Sequence, residues 1–208
     1  MNFDPSALLM VITDLGDSAV LSGIILVTTA YLLVSGCRRT AIILLASFLI
    51  TAAGIGLLKI IFFSCHHRID LPFDIRSPSG HAALTAVVWG TISLILGQQF
   101  SGWKRWSTYL LSIIIIGMIA ATRRALHFHT TDEIVAGMCV GLLGLCFAWI
   151  LLRHWPSQKF QPRGLIIAAL VAAIALHGLR LPAEDFMKLM ALKIQSYWHF
   201  CQPGSVQE

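Results

Sequence analysis

Six apolar runs separated by short polar connections dominate the pattern along this chain, at residues 18–35, 41–63, 81–96, 107–122, 134–152 and 164–181. Each approaches the roughly 20 residues that a helix needs to cross the hydrocarbon layer. Lipid offers no partner to an open strand's backbone, so the pattern predicts helices throughout. Gly54, Gly56, Gly137 and Gly141 fall inside these runs and are expected to allow close helix packing. Two end segments read differently. Residues 5–15 place Leu8, Ile12 and Leu15 on one side of a short helix. Residues 183–200 group Phe186, Met190, Ile194 and Tyr197 on one face, with Glu184 and Lys188 opposite and Trp198 suited to the headgroup zone. The expected fold is all-α: a polytopic membrane bundle of about six transmembrane helices with interfacial helices at both ends. Residues 1–208 read as one domain, with no long repeat and no low-complexity tract.

Composition agrees. The chain is 57% hydrophobic and 12% charged, against about 25% charged in a soluble domain. The net charge of +5 does not signal nucleic acid, because the basic residues are scattered over short loops and form no stripe. Asp4, Asp14 and Asp17, with no Lys or Arg before residue 18, do not resemble a cleavable signal, so the first span is expected to remain as an anchor. The five cysteines, Cys37, Cys65, Cys139, Cys146 and Cys201, show no regular spacing and suggest no disulfide framework. Arg38, Arg39, Lys104, Arg105, Arg153, Lys159 and Arg163 fall on one side of the predicted membrane, which is therefore expected to be cytoplasmic. Arg68, Arg76, Arg123 and Arg124 lie on the opposite side, against the bias, as arginines kept for an anion would.

Two polar stretches on that outer side carry the candidate chemistry. In "RSPSGHAALTA" (76–86), Ser79, Gly80 and His81 open the third run. The first amides of a helix lack internal partners and favour an anion, and Gly80 lets backbone come close to a ligand. The same residues also read as a Pro-Ser-Gly turn with a Ser79 cap. In "TRRALHFHTTDEIVAG" (122–137), His129 and Glu133 are four apart at a helix start. The carboxylate can therefore reach one ring nitrogen and leave the other free as nucleophile or base. Lys59, near the outer end of the second run, either joins this group or snorkels to the headgroups.

Together these stretches resemble the type 2 phosphatidic acid phosphatase superfamily, whose signature is a lysine followed seven residues later by Arg-Pro, then Pro-Ser-Gly-His, then Ser-Arg, five residues, His, three residues and Asp. Pro78-Ser79-Gly80-His81 matches the second part in full. In the third part Thr122 stands for Ser, Arg123 and His129 match in spacing, and the acid is Glu133. Counting from Lys59, the Arg-Pro pair falls on His66 and His67, so Arg68 or Arg76 is left to substitute. The resemblance covers roughly residues 40–150. It implies a lipid phosphate substrate, His129 as nucleophile held by Glu133, and His81 as general acid and base. It further implies that Lys59, Arg68, Ser79, Gly80 and Arg123 hold the phosphate, with no metal and no cofactor. Polyprenyl phosphate, phosphatidic acid, phosphatidylglycerol phosphate and a lipid A-type phosphate all fit, and transfer to a second lipid is as open as hydrolysis. The expected place is a bacterial inner membrane, with the site facing the periplasm or exterior. Rival readings are a lipid-phosphate binder without turnover, a zinc site built from Cys65, His66, His67, His127 and His129, and a serine protease on Ser79.

Overall fold

The computed structural model describes residues 5–65, 75–179 and 181–197, and among these every regular element is an α-helix. The helices are α1 (Pro5–Asp14), α2 (Ser18–Val34), α3 (Arg38–Cys65), α4 (Gly80–Gln99), α5 (Trp103–Ala125), α6 (Thr131–His154), α7 (Pro162–Ala175) and α8 (Ala183–Tyr197). Five stretches are long and apolar enough to cross a membrane: Ala7–Val34, Arg38–Ser64, Gly80–Gln99, Trp103–Ala125 and Thr131–His154. These are the first five predicted spans, and the chain is a multi-pass membrane bundle.

The sixth apolar run is helical over only part of its length. The apolar run 164–181 was expected to be one span, but α7 stops at Ala175 after 14 residues, about 21 Å of helix. Turn residues 176–178 follow, with Gly178 at φ 81°. Hydropathy alone could not locate this break, since Leu176, Leu179 and Leu181 keep the run apolar beyond the end of the helix. α7 packs along α2. There Tyr31 donates its hydroxyl hydrogen to the Gln161 carbonyl at 2.8 Å.

The central element is α4, which packs against α2, α3, α5 and α6. Its Ala82, Ala83, Ala86, Val87 and Val88 are all essentially without exposure. α5 is peripheral, with Trp103, Trp106, Leu110, Leu111 and Ile113 facing outward. At one end the turns carrying the basic residues touch one another. Gln98 donates to the Leu152 carbonyl at 3.2 Å, Gln99 donates to Ser157 Oγ at 2.8 Å, and Arg105 donates to the Gly97 carbonyl at 2.8 Å. The opposite end gathers the starts of α2, α4 and α6 with the ends of α3 and α5. α1 packs on α5 and α8 on α3. In α8 the inward stripe is Glu184, Met187, Lys188 and Ala191, while Phe186 and Ile194 point outward.

Gly137 and Gly141 set the distance between α6 and α4. A Cβ on Gly137 would overlap the Ser79 carbonyl, and one on Gly141 the Ala83 carbonyl. Gly56 lies under Met187 of α8, while Gly54 meets only Val140 at an ordinary 3.8 Å. Gly137→Ala is expected to cost about 1–3 kcal/mol through overpacking, read as a lower melting temperature in detergent. Gly54→Ala should stay close to wild type in the same measurement.

Candidate active site

Local sequence fixes the first half of the site. Thr130 is the N-cap of α6 in a capping box: Glu133 N–H donates to Thr130 Oγ1 at 3.3 Å, and Thr130 N–H donates to Glu133 Oε2 at 3.2 Å. The same Oε2 faces His129 Nδ1 at 2.7 Å. An ionised carboxylate only accepts, so Nδ1 carries the proton and Nε2 keeps its lone pair. Both side chains are over nine-tenths buried. The segment that delivers His129 leaves α5 through a Schellman turn. His127 N–H donates to the Arg124 carbonyl and Phe128 N–H to the Arg123 carbonyl, both at 3.1 Å. His127 occupies the left-handed position of that turn at φ 55°, where glycine is usual, and its side chain is exposed.

Glu133 also reaches across to the stretch before α4. Its Oε1 accepts the Arg76 and Ser77 amides at 3.0 and 2.9 Å, and its own carbonyl accepts the Ser79 amide at 2.9 Å. Ser77 in turn accepts a hydrogen bond from Lys59 Nζ at 3.1 Å. Lys59 is 8% exposed, so the snorkelling alternative does not describe it. Ser79 is fully buried as the N-cap of α4, its hydroxyl accepting from the Ala82 amide at 3.4 Å.

A cavity of about 400 Å³ collects these groups. Lys59, Gly80, His81, Arg123 and His129 line it, with Glu133 directly behind His129. Ser79 does not line it; its role in the structure is the cap. The Arg76 side chain is exposed and also absent from the lining, although its amide binds Glu133. Arg68, His66 and His67 lie outside the described residues, as does the Cys65 side chain. Among the described residues, no three His, Cys, Asp or Glu side chains gather as a metal would require. The other walls hold Phe48, Ala52 and Ile55 of α3 and Leu84 of α4. From Lys59 to Phe48 the cavity follows 11 residues of α3, about 16 Å.

Three lining or supporting groups were not foreseen from sequence. Asp17, the N-cap of α2, stands 3.6 Å from His81 Nε2. Ser77 is the partner of Lys59. Glu184 of α8 lines the cavity near Lys59 and His129. Ser77 sits two residues before a motif serine, but no local pattern ties Asp17 or Glu184 to residues more than 50 positions away.

Residues 70–160 match the family model of the PAP2 superfamily. The matched stretch contains His81, Arg123, His129 and Glu133; Lys59 and Arg68 precede it. A curated protein of Klebsiella pneumoniae, described as an uncharacterized 22.5 kDa protein in cps region, is 26% identical over 125 residues. The alignment covers 58% of this chain and 60% of that protein, less than two thirds of the relative's length. No solved structure matches the chain significantly.

Burial lowers the pKa of His129, and the charges of Arg123 and Lys59 act in the same direction, partly offset by its bond to Glu133. The ring is therefore expected to titrate below the usual imidazole value near 6.5, and Glu133→Gln should push it lower still. An NMR titration of ring-labelled histidine checks both directions.

Proposed function

We propose that the protein is a membrane lipid phosphate phosphatase that works through a phosphohistidine on His129. The observation that carries this reading is the buried His129–Glu133 pair opening into a cavity with cationic groups at one end and an apolar wall at the other. Such a cavity suits a molecule whose phosphate reaches the loops while its tail stays among the helices. The PAP2 match supports phosphoric ester chemistry on a phosphate-bearing substrate in a membrane setting.

His129 Nε2 attacks phosphorus in line, and the bond from phosphorus to the lipid oxygen breaks with its electron pair leaving on oxygen. His81 gives that oxygen a proton, so the lipid departs as an alcohol, or as the shorter phosphate from a pyrophosphate. The now neutral His81 then takes a proton from water, whose oxygen attacks phosphorus and releases His129 and orthophosphate. Lys59, Arg123 and the amides at the start of α4, beginning at Gly80, offset the charge on the equatorial oxygens. In phosphoryl transfer this charge stabilisation is the main demand on the protein. In this reading Arg68, two positions past the place of the first motif's arginine, supplies a further charge, and Ser79 supports these groups by fixing the α4 terminus. The scheme uses no metal. By the positive-inside rule the basic end is cytoplasmic, which puts the site on the periplasmic or outer face of a bacterial inner membrane.

The test is orthophosphate release from a panel of lipid phosphates by detergent-purified protein in EDTA. Wild type should release phosphate, and His129→Ala should lose activity by at least about a thousandfold, as loss of a nucleophile does. The neutral nucleophile persists below the ordinary histidine pKa, so the acid limb of kcat/KM should lie below pH 6.5. Binding of the lipids without release would favour a carrier, and loss of release in EDTA would remove the metal-free scheme.

A further inference from the structure

The described mechanism gives His81 a proton to donate at a place that disfavours a charged imidazole. It is the second residue of α4, so the helix dipole opposes its protonation. Lys59 from α3 and Arg123 from α5 also act on it with like charge. One group faces it with the opposite sign at contact range. Asp17 Oδ2 lies 3.6 Å from His81 Nε2, and Asp17 is 7% exposed. Asp17 is rigidly held: its Oδ1 accepts the Ala19 amide at 2.8 Å as the cap of α2, and the Leu181 backbone also bonds to the carboxylate. Capping thus occupies one oxygen and aims the other at His81.

We infer that Asp17 is a positioning residue for the general acid: its carboxylate, beside Nε2, stabilises the His81 imidazolium that gives its proton to the leaving oxygen. The inference rests on the phosphatase reading and adds a group from outside every motif of the chain. A separation of 3.6 Å is an ion-pair contact and longer than a hydrogen bond. The carboxylate therefore favours the charged ring without sequestering the proton that must be donated. Asp17 itself stays ionised throughout; the proton passes from His81 to the departing lipid oxygen and is regained from the hydrolytic water. The remaining charged groups around the cavity are Asp14 of α1, His129 on the 126–130 connection and Glu184 of α8.

Asp17→Asn isolates the charge, because Asn caps a helix about as well as Asp. The experiment compares kcat/KM of full-length wild type and Asp17→Asn on two substrates. One is a lipid alkyl phosphate, whose leaving oxygen must be protonated; the other is p-nitrophenyl phosphate, whose leaving group departs without an acid. With the lipid, kcat/KM should fall by roughly tenfold, a fraction of what general acid catalysis supplies, and its alkaline limb should move to lower pH. With p-nitrophenyl phosphate the loss should be severalfold smaller. In a His81→Ala background, Asp17→Asn should add no further loss on the lipid. Equal loss on both substrates would show a structural role and overturn the inference, as would no loss on either while wild type is active. Absence of release by wild type on both substrates sinks the phosphatase reading, and this inference with it. Should Asp17→Asn fail to fold in detergent, Asp17→Ser, which also caps, decides in the same assay.

Discussion

The Glu133 carboxylate is the interaction on which the rest of this structure depends. It closes the capping box of α6, holds the His129 ring, and accepts the Arg76 and Ser77 amides, while its carbonyl accepts the Ser79 amide. One residue thus joins the start of α6 to the approach to α4, the two elements that carry the histidines. A buried carboxylate persists only when its lone pairs are satisfied, and four donors reach this one. The position also favours negative charge, since it is the first turn of a helix.

Below this junction, glycine does what hydrogen bonds cannot. With Gly137 against the Ser79 carbonyl and Gly141 against the Ala83 carbonyl, α6 and α4 approach backbone to backbone. That contact holds the α4 terminus at a fixed height relative to His129. The electrostatics of the cavity follow from this placement: Lys59 and Arg123 on one side, with Asp17 and Glu184 opposing them from α2 and α8. The Glu184 carboxyl illustrates the balance. Burial raises its pKa, yet the hydrogen bond to Lys188 and the charge of Lys59 bring it below the usual carboxylate range.

Much of the architecture was legible in the sequence because lipid leaves a chain few options. Five spans appear where the apolar runs stand, and the basic residues of the turns collect at one end. The sixth run is helical only as far as Ala175, where the turn at 176–178, with Gly178 at φ 81°, ends it. At the site, the spacing of His129 and Glu133 encodes a helical pair, and Ser79-Gly80-His81 encodes a capped terminus, so both could be read. Of the two readings open for Ser79, the structure shows the cap: its hydroxyl accepts the Ala82 amide, and the residue is fully buried. Asp17 could not be read at all. It meets His81 only because α2 and α4 are packed together, and no periodicity links positions 64 residues apart.

Each crossing reverses the chain, so the even-numbered helices α2, α4 and α6 all begin at the same end of the bundle. Three positive helix termini therefore converge by parity alone, before any lysine or arginine is counted. Adding a single crossing ahead of α2 would leave the site intact but move it to the other compartment, whereas adding one between α2 and α4 would send Asp17 to the opposite surface from His81. The number of crossings between them must stay even, which makes the count of spans as much a part of the cavity as any side chain that lines it.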